Sequence, residues 1–399
     1  MNLSITKTKL EILVQIFLFM IPAGLIAVPI FKVLWYTLLF ISLIIFFCNY
    51  FAAFKLKKND KDKLDSILIF MLLYQMFVLV ATYQNGGNWM YTLMTIFVVS
   101  AVILYSEDTF RKNKLDFLWA VDIALLINIL IEVTGEMFGI GNFLQIYACA
   151  YVYYGVWATI HLIYLELSKK KDYLVYIISV IMIIPTIINP DKGFDNQSSY
   201  EWTFYIMVII ECSIILFRPI LSKLKIIFNM HMSYLFISAF NLIFVVFQLP
   251  TRLGFIRFIL IDIMHKDMTF TGRTGIWRLA LSYIKMNIWR GYGTGLKTLP
   301  NMGGSWRVFM QTYGPHNQFL ATWLISGIFG LFFYMLLILK SSYKVLKYKN
   351  KYISVIMSAG FLSVYLELSL TYRNVINCIP LYIMFVICCN IDYLMGKAE

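Results

Sequence analysis

The chain has 399 residues, of which 60% are hydrophobic, 17% aromatic and only 14% charged, with a formal net charge of +13. A soluble domain has about 45–50% apolar and about 25% charged residues, and a globule of this length could not bury so much apolar surface. The composition therefore excludes a soluble enzyme, a disordered protein and a secreted disulfide scaffold, and we expect an all-α polytopic membrane protein.

Apolar runs long enough to span a bilayer as helices recur along the whole chain, since such a helix needs about 20 mainly apolar residues. We predict twelve spans, at about 10–31, 33–54, 64–83, 90–106, 115–134, 143–167, 172–188, 200–217, 231–249, 317–339, 352–370 and 374–394. The first run lacks a small-residue cleavage site, so we expect a retained helix rather than a signal peptide.

Basic clusters orient the predicted helices. They lie at 55–63, 111–114, 169–172, 218–225 and 340–351, all on the same side of the membrane when the spans are counted in order. Short cytoplasmic loops of membrane proteins collect Lys and Arg. We therefore place these loops and both termini in the cytoplasm, and no nucleic-acid partner is needed to explain most of the basic charge.

One loop on the opposite side, residues 250–316, is far longer than a connector needs to be. It divides the chain into helices 1–9 (1–249), a large extracytoplasmic loop (250–316) and helices 10–12 (317–399). Within it, 255–264 is apolar enough to lie in the membrane interface. Apolar positions at helical spacing over 274–289 predict a short amphipathic helix.

The charge of this loop is unusual for the outer side of a membrane protein. It has nine basic residues, most of them arginines, against two acidic residues, a formal excess of seven. Long loops cross the membrane largely regardless of charge, so the predicted topology is unaffected. Such a loop needs an anionic partner, and arginine suits bidentate recognition of phosphate.

His316 is the residue best suited to proton transfer. It stands where the long loop returns to the membrane, and histidine titrates near neutral pH. Asn317 follows it, and Gly327 and Gly330 later in the same run would let another backbone approach closely.

The other histidines and the six cysteines show no metal-binding spacing. We interpret His161 and His231 as hydrogen-bonded helix residues. We expect no metal and no cofactor.

Three motifs in this region together resemble the signature of the O-antigen ligase and O-antigen polymerase superfamily. The first is an R-x3-W-x2-A helix, the second a GYGTG turn, and the third an HN pair followed by GxxG. In this chain they are Arg273-x3-Trp277-x2-Ala280, Gly291-Tyr292-Gly293-Thr294-Gly295, and His316-Asn317 with Gly327-x-x-Gly330. Each motif alone is weak, but all three occur in order between two spans.

The resemblance implies a reaction. Members of this superfamily transfer a glycan from undecaprenyl pyrophosphate to an acceptor hydroxyl, on the outer side of the bacterial inner (plasma) membrane, without a nucleotide sugar or a metal. Arg273 is then expected to bind pyrophosphate and His316 to act as the base, with inversion at the anomeric carbon. Preorganised arginines stabilise the charge that develops on such a leaving group.

The superfamily usually has a further arginine at an outer helix end, and this chain departs from that pattern. Arg218 looks similar locally but falls on the cytoplasmic side, so we favour Arg252, with Lys192 next.

The remaining candidates for substrate binding lie in the loop or beside His316. They are Arg257, Arg278, Arg290, Asn317 and Glu367, the last of which could orient His316 or bind an acceptor hydroxyl. The loop arginines could equally anchor lipid headgroups.

The motifs leave the acceptor open. A polymerase uses a second lipid-linked repeat unit, whereas a ligase uses lipid A core or a protein. The Ile-, Lys-, Asn- and Phe-rich composition is typical of surface-polysaccharide loci and favours a polymerase, whose expected partners are the two lipid-linked substrates, membrane lipids and a chain-length co-polymerase. The alternatives are a ligase, a lipid-linked sugar flippase or transporter, and a non-catalytic assembly partner.

Overall fold

The computed structural model describes most of the chain beyond residue 65. The described ranges are 12–16, 66–137, 144–188, 199–224, 229–248, 273–294, 314–348, 351–371 and 378–396, with isolated residues at 33–44, 254–258 and 296–311. Arg252, Arg257 and Lys192 lie outside them, as does most of the predicted spans 10–31 and 33–54.

Helices account for nearly all of this described part, and it has no β-strand. In chain order the first seven are α1 (Ser66–Gln84), α2 (Trp89–Lys112), α3 (Lys114–Met137), α4 (Leu144–Ser168), α5 (Leu174–Ile188), α6 (Ser199–Leu216) and α7 (Arg218–Leu224). The later ones are α8 (Met230–Phe240), continued by a π-helical segment (Asn241–Val246), α9 (Arg273–Met286), α10 (Gln318–Leu346), α11 (Tyr352–Leu370), α12 (Ile379–Cys389) and α13 (Ile391–Leu394).

These helices confirm an all-α polytopic membrane protein. Four of them, α1, α2, α10 and α11, are long and apolar enough to cross a membrane, and shorter apolar helices lie in α5, α6, α8 with its π segment, and α12. The predicted amphipathic helix at 274–289 corresponds to α9. Helix boundaries from α1 to α11 differ from the predicted ones by a few residues in most cases.

The chain divides into two compact units. Unit one comprises 1–66, 97–172 and 378–399. Its described core is the pairing of α3 with α4, against which α12 packs. The Arg111 side chain donates to Asn390 Oδ1, and the Lys114 ammonium donates to the carbonyl of Leu394. A lysine beside the last carbonyls of a helix satisfies acceptors that have no intrahelical donor.

Unit two comprises 67–96 and 173–377, and it contains the three motifs. Helix α11 is its centre, because α6, α8 and α10 all pack on it and nearly all of its residues are buried. Asn229 is the N-cap of α8, because its side chain accepts from the backbone N–H groups of His231 and Met232. Such an N-cap satisfies donors in the first turn that have no intrahelical partner.

Helix α10 differs from the single straight span predicted at 317–339. It breaks at Gly327, whose backbone has φ 68° and ψ −173°. Phe319 and Tyr334 are 15 positions apart, which is about 22 Å in a straight helix, yet their ring centroids are only 6.2 Å apart. The segment 318–326 therefore folds back on the rest of α10. The remainder, 328–346, is about 28 Å long, enough to cross the hydrocarbon core.

Candidate active site

The residue after His316 fixes the start of α10. Asn317 is fully buried and caps the helix, because its Oδ1 accepts from the N–H of Leu320 at 2.9 Å. Its Nδ2 donates to Asn241 Oδ1 at 2.6 Å and to the carbonyl of Ser369 at 2.8 Å. Asn241 in turn donates to Ser369 Oγ at 2.8 Å. Three elements of unit two thus meet at one buried amide cluster.

His316 occupies a backbone conformation that is unfavourable for a side chain. Its φ is +47°, in the left-handed region that costs most residues about 1–2 kcal/mol. Non-glycine residues held there are often found at functional sites, where the surrounding structure imposes the conformation. The Asn317 contacts provide that constraint, since they hold the backbone immediately after His316.

Helix α9 has one buried face, and the R-x3-W-x2-A motif lies on it. Arg273, the first residue of the helix, is 6% exposed, while Trp277 and Ala280 are fully buried. The positions recur at i, i+4 and i+7, which places them on one side of a helix. Arginine is mostly a surface residue and is almost never fully buried unless it is paired. The burial of Arg273 therefore marks it as a candidate site residue.

Gln248, just beyond the π segment, contacts the first turn of α9. Its Nε2 donates to the carbonyl of Thr274, and its Oε1 accepts from Arg278 Nη2, both at 3.3 Å. Its φ of +50° is again left-handed. Gln248 therefore ties the helix that begins with Arg273 to the end of the α8–π element, by which we mean residues 230–248.

The α8–π element thus contacts both motif regions. Asn241 holds the His316–Asn317 turn, and Gln248 holds the Arg273 helix. The two side chains are seven positions apart, which corresponds to about 10 Å along a helix. The His316–Asn317 turn and the Arg273 helix are therefore attached to one element, at points about 10 Å apart along its axis.

The GYGTG turn docks at the break in α10. The N–H groups of Tyr292 and Gly293 donate to the carbonyls of Leu324 and Ile325, at 2.8 and 2.9 Å, and the N–H of Ile328 donates to Ile288. These bonds replace intrahelical bonds that the break removes. A Cβ built on Gly327 would lie 2.1 Å from the carbonyl oxygen of Trp289. The predicted close approach at Gly327 is therefore confirmed.

Threonine hydroxyls join the same turn to the tip between α1 and α2. Thr294 Oγ1 lies 2.8 Å from Thr92 Oγ1 and 3.3 Å from Thr82 Oγ1, and the Thr294 N–H donates to the Thr82 hydroxyl. Gly293 allows this contact, because its Cβ would be 2.4 Å from Thr82 Cα. The end of α1, the start of α2 and the turn at 291–294 thus lie together in unit two.

The hydroxyl of Tyr292 packs inward from the turn. It donates to the carbonyl of Tyr283 on α9 at 3.1 Å, and burial raises its pKa. The GYGTG turn is therefore attached to α9 as well as to α10.

The remaining sequence candidates fall in different surroundings. Arg278 and Arg290 are exposed, with Arg278 held by Gln248. Glu367 is fully buried on α11, where its Oε2 accepts a hydrogen bond from the Thr203 hydroxyl on α6. It lies half a turn before Ser369, the residue whose carbonyl binds Asn317. Arg218, predicted on the opposite side, stacks over the Tyr352 ring at 4.8 Å at the other end of α11.

Sequence reasoning missed Asn241 and Gln248, which tie the motif regions to the α8–π element. Isolated Asn and Gln residues in apolar runs have no pattern that separates them from ordinary helix residues. Polar amides within a predicted span were the available signal, because they need partners inside a membrane.

The two histidines interpreted as hydrogen-bonded helix residues are indeed bonded. In unit one, His161 lies between Asp122 and Asp172, at 2.9 and 3.0 Å. In unit two, His231 Nδ1 lies 2.5 Å from Ser342 Oγ. Within the described ranges, no group of three or more His, Cys, Asp or Glu residues is arranged to hold a metal ion.

Comparison with known proteins gives one match. A family model described as O-antigen ligase matches residues 65–335, well over half of the chain, and this region contains all three motifs. No curated protein and no solved structure matches the chain.

Proposed function

Because the chain belongs to the O-antigen ligase family, a group of membrane enzymes acting on lipid-linked glycans, we propose that it is a surface-polysaccharide polymerase. It transfers the growing glycan from undecaprenyl pyrophosphate to a sugar hydroxyl of another lipid-linked repeat unit. The observation that carries the proposal is the attachment of the His316 turn and the Arg273 helix to the two ends of one π-helical segment.

His316 is the general base in this proposal. It removes the proton from the acceptor hydroxyl while that oxygen attacks the anomeric carbon of the donor. The new glycosidic bond forms as the bond from the anomeric carbon to the pyrophosphate oxygen breaks. The electron pair of that bond leaves with undecaprenyl pyrophosphate, so the anomeric configuration inverts.

Arg273 stabilises the departing pyrophosphate. Its burial favours this role, because a charge–charge interaction is stronger away from bulk water. Arg278 is one turn further along α9 and lies at the exposed edge. Arg252 is our first choice for the second cation, with Lys192 next, and Arg257 and Arg290 extend the basic loop toward the headgroups.

Asn317 and Glu367 have supporting roles. The Asn317 amide is committed to Asn241, Ser369 and Leu320, so we propose that it positions His316. Glu367, close to the same cluster, orients the base or the acceptor hydroxyl. The loop 250–316 faces the periplasm, and the reaction needs no metal.

Complementation of a polymerase-deficient strain tests the function, with the glycan banding pattern as the readout. A polymerase restores the ladder, and the His316→Ala variant leaves single repeat units attached to the lipid A core. A ligase would restore no ladder in this strain, and its deletion from the native strain would remove all attached glycan while long lipid-linked chains accumulate. Uptake of lipid-linked glycan by vesicles without formation of a glycosidic bond would identify a transporter.

Purified protein tests the chemistry. With lipid-linked repeat units as donor and acceptor, we expect the protein to elongate the glycan even when EDTA removes divalent cations. Failure under EDTA, with recovery on adding a divalent cation, would contradict a metal-independent reaction.

A further inference from the structure

We infer that Asn241 and Gln248 are positioning residues with separate tasks, Asn241 for the base and Gln248 for the pyrophosphate-binding helix, and that the π segment between them sets their relative direction. The inference rests on the proposed function and assigns roles to residues outside the three motifs.

Asn241 uses its whole side-chain amide. Nδ2 donates to the carbonyl of Ile237 at 2.9 Å and to Ser369 Oγ at 2.8 Å, while Oδ1 accepts from Asn317 at 2.6 Å. The residue is only 8% exposed. An apolar replacement would remove one of the two acceptors of Asn317 Nδ2 inside the membrane. The turn that carries His316 would then lose its link to the α8–π element.

Gln248 acts at the other end of the element. Its side chain is hydrogen-bonded to α9 at Thr274 and Arg278, within the first two turns of the helix that begins with Arg273. Its left-handed backbone is maintained although no glycine stands there. The expected consequence of its loss is a shift of α9, and with it of Arg273, while the His316 turn keeps its contacts.

The π segment determines the directions in which these two side chains point, relative to each other, around the axis of the element. The N–H of Phe247 donates to the carbonyl of Leu242 at 2.9 Å, five positions back, whereas an α-helix bonds four positions back. One extra residue in a turn rotates the later residues of the element by about 100° relative to an α-helix. In an uninterrupted α-helix, Gln248 would therefore point elsewhere when Asn241 faces Asn317. Such π insertions are frequent at functional sites.

The test uses two nearly isosteric substitutions, Asn241→Leu and Gln248→Met, in the full-length purified protein. For Asn241→Leu we expect kcat to fall by about 10- to 100-fold, since small misplacements of catalytic groups cost up to about 100-fold, with the donor KM and the Kd for undecaprenyl pyrophosphate unchanged. For Gln248→Met we expect the Kd for undecaprenyl pyrophosphate and the donor KM to rise by about tenfold, because charge-assisted phosphate contacts weaken. The change in kcat should be smaller.

Two matched controls separate positioning from stability. Asn390 in unit one also donates to a carbonyl four positions back, at 3.0 Å, and bonds a second side chain, Arg111, so Asn390→Leu removes a similar pair of bonds far along the chain from the motifs. Leu235→Ala alters an exposed side chain of α8 outside the π segment. We expect both controls to keep kcat and Kd near wild type, whatever they do to the melting temperature.

The inference is wrong if Asn241→Leu and Gln248→Met each lower both kcat and the affinity for undecaprenyl pyrophosphate. It is also wrong if Asn390→Leu, at a similar loss of melting temperature, lowers kcat or affinity by as much. Should Asn241→Leu not fold, Asn241→Ala removes the same acceptor of Asn317 with a smaller side chain, and the same loss of kcat at constant affinity is expected. A wild-type protein that binds undecaprenyl pyrophosphate without transferring glycan would refute the proposed function. The affinity of Gln248→Met would still decide the role of Gln248.

Discussion

Replacing Gly327 by Ala should disrupt the junction between α10 and the GYGTG turn. Gly327 has φ 68° and ψ −173°, a conformation that is essentially restricted to glycine, so alanine there costs about 1–3 kcal/mol. Its Cβ would lie 2.1 Å from the carbonyl oxygen of Trp289, where ordinary contacts begin at 3.4 Å, so the turn must move by more than 1 Å. The three backbone bonds across the junction, each worth about 0.5–1.5 kcal/mol, would weaken. We expect a destabilisation of about 3–6 kcal/mol if most of them are lost.

The melting temperature of the purified protein in detergent measures this effect, and two other glycines serve as controls. Gly86 has a φ of +67° but open space around it, so Gly86→Ala isolates the backbone cost of about 1–2 kcal/mol. Gly275 lies in α9 with a helical backbone and nothing within 4 Å. There alanine should be neutral or stabilising by up to about 1 kcal/mol.

The order of melting temperatures decides the matter. We expect Gly275→Ala to be at least as stable as wild type, Gly86→Ala to be lower, and Gly327→Ala to be lowest, with loss of glycan elongation. If Gly327→Ala melts at the same temperature as Gly86→Ala, the backbone conformation alone explains its loss of stability. The close docking of the GYGTG turn would then be refuted.

Substitutions at three further residues test the site. His316→Ala should lower kcat by about 10²–10⁴-fold at an unchanged donor KM. Glycan elongation by the purified protein measures both constants, and a variant with wild-type kcat would exclude His316 as the base. Arg273→Lys keeps the charge but loses the planar fork, so it should lower kcat/KM for the lipid-linked donor by at least tenfold, and Arg273→Ala by more; equal activity of Arg273→Lys and wild type would contradict bidentate binding. Thr294→Val removes the hydroxyl contacts with Thr82 and Thr92 and should destabilise the protein by about 1–2 kcal/mol in thermal unfolding, whereas an unchanged melting temperature would mean that these contacts are not needed.

The fold class could be predicted because a membrane requires helices of a certain length and apolar composition. A span needs about 20 apolar residues, and charged residues are confined mostly to the connections. Composition and hydropathy therefore located α1 to α6, α8 and α11 closely. The motifs also named the GYGTG turn and the close approach at Gly327, because glycines at such spacing indicate contact between backbones.

The course of α10 could not be predicted in the same way. Residues 317–339 are mainly apolar, and hydropathy does not distinguish a straight helix from one that folds back. The break depends on hydrogen bonds from Tyr292, Gly293 and Ile328 that are made only when the GYGTG turn is docked. A glycine in an apolar helix permits such a break, but the partner backbone decides that it occurs.

By itself, the sequence determined that the chain is a helical membrane protein, which segments carry its basic charge, and which histidine and arginine belong to the motifs. Only the tertiary structure decided that these residues are tied to one π-helical element, through Asn241 and Gln248. The physical reason is that burial and charge patterns are local properties of a segment. Hydrogen bonds between amides 76 positions apart, as between Asn241 and Asn317, depend on how distant segments meet.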